Sequence, residues 1–225
     1  MKAISGNAEP QLGTRPKAEL GLGAPRIYTR GYLPHFDVPG ALQFITFRLA
    51  DSLPQAVLHE LERELLQQPE AHRDRERRKR IEQWLDAGLG CCALRHPQMA
   101  AVMQQTLQKF DGERYRLLAW CIMPNHVHVL IETAAPLAKI VQSWKSYTGR
   151  WALSHSAELG LGVPVHCKTF WMREYWDRYI RDEGHFHRVV AYIYNNPVTA
   201  GLCHTAEEWC WSGLLLQSPE PLDSN

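Results

Sequence analysis

Trp120-Cys121-Ile122-Met123-Pro124-Asn125-His126-Val127-His128-Val129-Leu130-Ile131-Glu132 is the stretch on which the reading of this chain turns. A strand over Tyr115 to Ile122 gives way at Pro124-Asn125 to a tight connection, and a second strand returns from His126 to Glu132. The two are expected as antiparallel neighbours. On a strand, residues two apart share a face, so His126 and His128 project together while Val127, Val129 and Ile131 point to the opposite side, where a core can form. Two imidazoles so placed can hold one metal ion, or they are two polar side chains at a strand edge. The spacing alone leaves both open.

Working outward, Leu42 to Leu49 reads as an earlier strand and Pro54 opens a helix with the apolar stripe Val57, Leu58, Leu61 and Leu65. Glu70 to Arg80 is a dense charge run on a helical continuation that offers Ile81, Trp84 and Leu85 as a short apolar face. It reads either as a solvated face laced by ion pairs, or as phosphate contacts through Arg77, Arg78, Lys79 and Arg80. Gln98 to Phe110 is a second core helix. Leu137 to about Ser154 is a third, with Trp144 and Thr148 inward and Lys139, Lys145 and Arg150 outward. Phe170 to Tyr179 is aromatic and includes a short extended stretch; a last helix follows Asp182-Glu183 and ends at Pro197. The expected class is α+β: an antiparallel sheet with helices on one face and a separate C-terminal helix.

That last helix has a buried stripe of Phe186, Val189, Val190 and Ile193. At 100° per residue Tyr192, Asn196 and His185 share one flank; Tyr194 and His187 share the other. Both tyrosines border the stripe at similar angles. The residue four further on separates them: Tyr192 has Asn196, whose carbonyl can ligate a hard cation, and Tyr194 has Val198. A phenol needs activation to attack anything, and a nearby metal-polarised electrophile is one remedy.

With 225 residues, 45% hydrophobic, the chain can bury one sizeable core, and a formal charge of +1 confines any nucleic-acid contact to a local patch. Six cysteines without a C-x-x-C pair read as reduced thiols, and Cys203-His204 with Cys210 lacks the spacing of structural zinc. Met1 to Pro25 resembles no signal peptide, and no run approaches the roughly 18 apolar residues of a membrane span. A cytoplasmic protein is expected. The domain reading is a flexible arm over 1–34, one catalytic domain over 35–213 with a helical insertion at 53–95, and a tail over 214–225.

The ordered set of Met123-Pro124-Asn125-His126-Val127-His128, Ser143-Trp144-Lys145-Ser146-Tyr147, Tyr175-Trp176-Asp177-Arg178-Tyr179 and Tyr192-Ile193-Tyr194-Asn195-Asn196-Pro197 resembles the REP-associated tyrosine transposases, relatives of the single-tyrosine HUH transposases of small bacterial insertion sequences. The resemblance runs from about Tyr32 to Gly213. It implies an RRM- or ferredoxin-like core that cuts and rejoins single-stranded DNA near hairpins, in a nucleoid-associated setting. It further implies His126, His128 and Asn196 as ligands of Mg2+ or Mn2+, and Tyr192 as the nucleophile that forms a 5′-phosphotyrosine. The chain departs from that pattern in its long 53–95 stretch, in Phe44-Ile45-Thr46 where many relatives have His-Val-Thr, and in Asn196 where better-known relatives carry Gln or Glu.

Substrate contacts are expected from Lys145, Arg150, Arg178 and Arg181, with Arg173 nearby, interleaved with Trp144, Tyr147, Trp171, Tyr175 and Trp176, most of which read as core. The implied partner is single-stranded or hairpin DNA, with no membrane and no organic cofactor, the protein acting as monomer or homodimer. Two other readings compete: a non-catalytic RRM-like nucleic-acid-binding module, and a metal phosphodiesterase that uses water.

Overall fold

A computed structural model describes residues 26–29, 34–37, 40–164 and 167–215. Its elements run β1 (Arg26–Thr29), β2 (Pro34–Asp37), β3 (Leu42–Arg48), α1 (Gln55–Leu66), α2 (Glu70–Asp86), α3 (Pro97–Gln108), β4 (Tyr115–Ile122), β5 (His126–Thr133), α4 (Leu137–Leu159), β6 (Trp176–Tyr179), α5 (Glu183–Thr199) and β7 (Ser212–Leu214). Five strands form one antiparallel sheet in the order β6-β3-β5-β4-β7. Without β7 this is the β-α-β-β-α-β order of a ferredoxin-like fold. β5 lies at its centre, so its side chains are covered from both sides.

Alternation along the strands makes two cores. Ile45, Phe47, Val127, Val129 and Ile131 pack with Met99, Met103, Ile140, Val141 and Trp144 from α3 and α4. Phe44, Leu118, Cys121 and Leu130 pack on the other face with Val189 and Ile193 of α5. The tyrosine-bearing helix therefore stands apart from the other packed helices, as expected of the class. The register slips between Leu117 and Ala119, a bulge that lets Leu117 and Trp120 serve the first core while Leu118 and Ala119 serve the second. Buried polar groups in the first core are paired: the Trp144 indole donates to the Tyr115 hydroxyl at 2.9 Å, which donates to the Leu107 carbonyl at 2.6 Å.

Several boundaries differ from the sequence reading. β1 and β2 pair as a two-stranded ribbon, so the stretch read as an arm up to residue 34 contains regular structure from Arg26; Ile27-Tyr28 and His35-Phe36 supply the β-forming residues. The arm's first 25 residues lie outside the described residues, as does the tail from 216 on. α5 does not stop at Pro197 but continues to Thr199. Proline removes one N–H, yet the Asn196 and Pro197 carbonyls are still taken by the amides of Ala200 and Leu202, both at 2.9 Å, so the last turn survives. The buried positions of α5 are His185, Val189, Ile193, Asn196 and Pro197, with Phe186 and Val190 only partly covered; the stripe is rotated towards Tyr192's flank. α4 runs to Leu159, where Gly160 takes the left-handed conformation at φ 62° and ends it. Among the described residues no helix is long and apolar enough to cross a membrane.

Candidate active site

Register on the sheet decides how the two histidines are held. Thr46 of β3 lies opposite His128 of β5, and its hydroxyl is 2.8 Å from His128 Nδ1. Asn125, in the β4–β5 turn, donates through Nδ2 to the Leu89 carbonyl at 2.9 Å, which turns its Oδ1 to His126 Nδ1 at 2.7 Å. An amide oxygen only accepts, so His126 carries its proton on Nδ1 and leaves a bare lone pair on Nε2. The two Nε2 atoms meet at 3.0 Å. Both rings are buried, and burial lowers both pKa values, that of His128 to about 3, so both imidazoles are neutral.

α5 brings Tyr192 to this point. Its hydroxyl is 3.5 Å from His128 Nε2, and its ring stands edge-on to His128 and to Phe44, with centroids 5.2 and 5.8 Å apart. Burial is the main force pushing the phenol's pKa up; the carboxylates Glu82 and Asp86 add to it, and a side-chain hydrogen bond with Asn196 opposes it. The hydroxyl is therefore protonated at rest. Tyr194 donates instead to the Glu207 carboxylate, away from the histidines. Asn196 is 2% exposed, and its Oδ1 has no hydrogen-bond partner among the described residues.

The family described as "Transposase IS200 like" matches residues 93–196, a span that runs from the turn before α3 through the histidine strand to Asn196. Over those residues the chain is similar to the IS200-like transposase family. It is 26% identical over 127 residues to a putative REP-associated tyrosine transposase of Haemophilus influenzae, covering 51% of this chain and 66% of that one. It is 24% identical over 112 residues to a REP-associated tyrosine transposase of Escherichia coli K12, covering 49% and 62%. The alignments thus span about two thirds of these curated relatives. Among solved structures it is similar to a REP-associated tyrosine transposase bound to a REP hairpin, at a TM-score of 0.45 and 17% identity over 82% of this chain and 80% of that one.

The donors in this site fit a hard divalent cation. The two imidazole Nε2 atoms, 3.0 Å apart, are spaced as two ligands of one such ion would be, and the orphaned Asn196 oxygen is a third donor of the right kind. Among the described residues no three His, Cys, Asp or Glu side chains converge on one point as they stand.

The four basic positions divide. Arg178 lies opposite Phe44 on the histidine face, its guanidinium 5.7 Å from the Trp176 ring, and Arg181 follows at the end of β6. Burial, then Arg78 and Arg181, lower the Arg178 pKa: a crowded cationic cluster lies beside the site. Lys145 and Arg150 belong to α4, on the other face of the sheet; the Lys145 ammonium donates to the Met172 and Arg173 carbonyls at 2.6 and 2.7 Å. There they line a cavity of about 350 Å³ with Arg173 and Tyr175. Of the candidate aromatics, Trp144, Trp171 and Tyr175 are core, while Tyr147 is exposed. In the charge run, Arg77 pairs with Glu62, and Arg80 with Glu64 and Glu76, which is the ion-paired face. Arg78 turns to Trp176, 6.0 Å from its ring.

Sequence reading missed Thr46, Asn125 and Asp86 as parts of the site, and named Arg78 only among four possible phosphate contacts. Asn125 precedes His126 directly, a signal that was available. Thr46 becomes a partner only through register, and Asp86 and Arg78 only through where α2 docks.

Proposed function

We propose that this protein cleaves single-stranded DNA and transfers the cut strand through a 5′-phosphotyrosine on Tyr192, with a divalent cation held by His126, His128 and Asn196, at hairpin-forming repeats. One observation carries the reading: the Tyr192 hydroxyl is 3.5 Å from His128 Nε2, which meets the bare Nε2 of His126 at 3.0 Å, and Asn196 contacts the same hydroxyl. Two relatives named as REP-associated tyrosine transposases support the substrate class.

A bound cation would supply positive charge beside the non-bridging phosphate oxygens and favour the phenolate. The Tyr192 oxygen bonds to phosphorus as the bond from phosphorus to the 3′ oxygen breaks, and the phenol's proton ends on that 3′ oxygen. The reverse attack by a 3′-hydroxyl reseals a strand and returns the phenol, so no external energy is needed. The covered rings of Phe44, His128 and Tyr192 keep bulk water from competing for the phosphorus. Arg178 lies on the histidine face, where it would hold the strand's phosphates with Arg181 nearby, and Trp176, flanked by Arg178 and Arg78, offers a stacking surface. Lys145 and Arg150, on the opposite face, would meet only DNA that wraps the molecule.

The test is covalent. Incubated with a hairpin-flanked oligonucleotide and Mn2+, the protein yields a DNA adduct on a denaturing gel that Tyr192→Phe abolishes and Tyr194→Phe spares. An adduct surviving Tyr192→Phe overturns the assignment. Cleavage with no adduct points to a water-using phosphodiesterase, and binding without cleavage to a non-catalytic module.

A further inference from the structure

Asp86 is the last residue of α2, forty positions before the histidines, yet its Oδ1 lies 4.0 Å from His126 Nε2. The chain is stitched to that place from both sides. Leu85 is 3% exposed and fixes the phase of α2. After the helix, the Leu89 carbonyl accepts from Asn125, the Cys91 amide donates to the Asp51 carboxylate at 2.7 Å, and the Leu94 amide donates to the Pro124 carbonyl at 3.1 Å. The same Asn125 thus ties down the chain that bears Asp86 and sets the His126 tautomer. That tautomer turns a lone pair, not a proton, towards the carboxylate. Among the described residues His126 is the one ion-pair contact Asp86 has. A carboxylate oxygen facing a bare nitrogen is a repulsive contact unless a proton or a cation lies between them, and burial raises the Asp86 pKa to about 6.

We infer that Asp86 is an anionic oxygen ligand of the divalent cation, supplied by α2 to complete the set formed by His126, His128 and Asn196. The inference rests on the metal site proposed above. The 4.0 Å between Asp86 Oδ1 and His126 Nε2 is within the span that two ligands of one such ion would cover at bonds of about 2.1 Å. His128 can join without moving: once the Thr46 hydroxyl accepts from Nδ1, its Nε2 is as bare as that of His126. The set then has two imidazoles, one amide oxygen and one carboxylate, a donor mixture suited to Mn2+ and Mg2+. The carboxylate restores charge and strength where an asparagine is a weak ligand.

The test uses the full chain and MnCl2 alone, followed by titration calorimetry, with no DNA present. Asp86→Asn is nearly isosteric and is expected to weaken Mn2+ binding by about tenfold or more, as loss of support for a metal site does. Glu82→Gln removes the same charge one turn earlier on the same helix face and is expected to change affinity by less than threefold. Equal losses in the two variants would make the effect one of field and not ligation, and would overturn the inference. So would an Asp86→Asn affinity within twofold of the parent while His128→Ala abolishes binding, in which case the metal site stands without Asp86. A parent chain that binds no Mn2+ fails earlier, at the proposed site itself, and takes this inference with it.

Discussion

Thr46 makes one hydrogen bond that matters to the site: its hydroxyl is the partner of His128 Nδ1, at 2.8 Å inside the sheet. Replacing it by the isosteric valine leaves a buried ring nitrogen unpaired, a cost of about 1–3 kcal/mol. It also frees the imidazole to reorient, so Mn2+ affinity is expected to fall about 10–100-fold. Chemical denaturation and metal titration of Thr46→Val read the two effects separately; unchanged Mn2+ affinity would remove Thr46 from the site's support. This residue also shows where sequence reading runs out. His126, His128, Tyr192 and Asn196 could be singled out because strand alternation and helix periodicity are local rules. The contacts that hold the histidine turn and strand are set by register and docking across 36 to 82 positions, for which no local pattern exists. Tyr192 and Tyr194 were separated in the sequence by their neighbours four residues on; in the structure one faces His128, the other Glu207.

Among the elements, the edge strand β7 depends on a glycine. A Cβ on Gly213 would stand 2.2 Å from the Trp120 ring, against which the strand lies, so Gly213→Ala forces either the indole or the strand to move. Such overpacking costs about 1–3 kcal/mol, readable as a lower denaturation midpoint with an unchanged slope. A wild-type midpoint would mean that β7 shifts freely. Strands β4 and β5 agree with the sequence reading almost to the residue, because alternation and a Pro-Asn turn mark them on both sides. α5 does not, because proline near a helix end weakens one bond without stopping the chain when later amides still reach back. The charge run on α2 was open between an ion-paired face and phosphate contacts: Arg77 and Arg80 pair with α1, whereas Arg78 lies against Trp176.

Across the whole molecule, the proposed cation, held by groups from α2, β5 and α5, would tie three separate stretches together only when the protein is folded. Mn2+ at about a hundred times its dissociation constant should stabilise the native state by about 2.7 kcal/mol, raising Tm by about 5–10 °C for a chain of this size, with reversal by a chelator. A Tm indifferent to Mn2+ would argue against any site at the histidines. The fold class was legible from the order of elements alone, and the two-sided packing of the sheet was not, since it requires knowing which face α5 covers. The β4–β5 pair closes over three residues, while Tyr192 comes to His128 from 64 residues away. During synthesis the histidine hairpin therefore leaves the ribosome well before α5 exists. A chain at that stage lacks Tyr192, so under the proposed function the capacity to break a strand appears only with the last helix, after the histidines and α2 have been made.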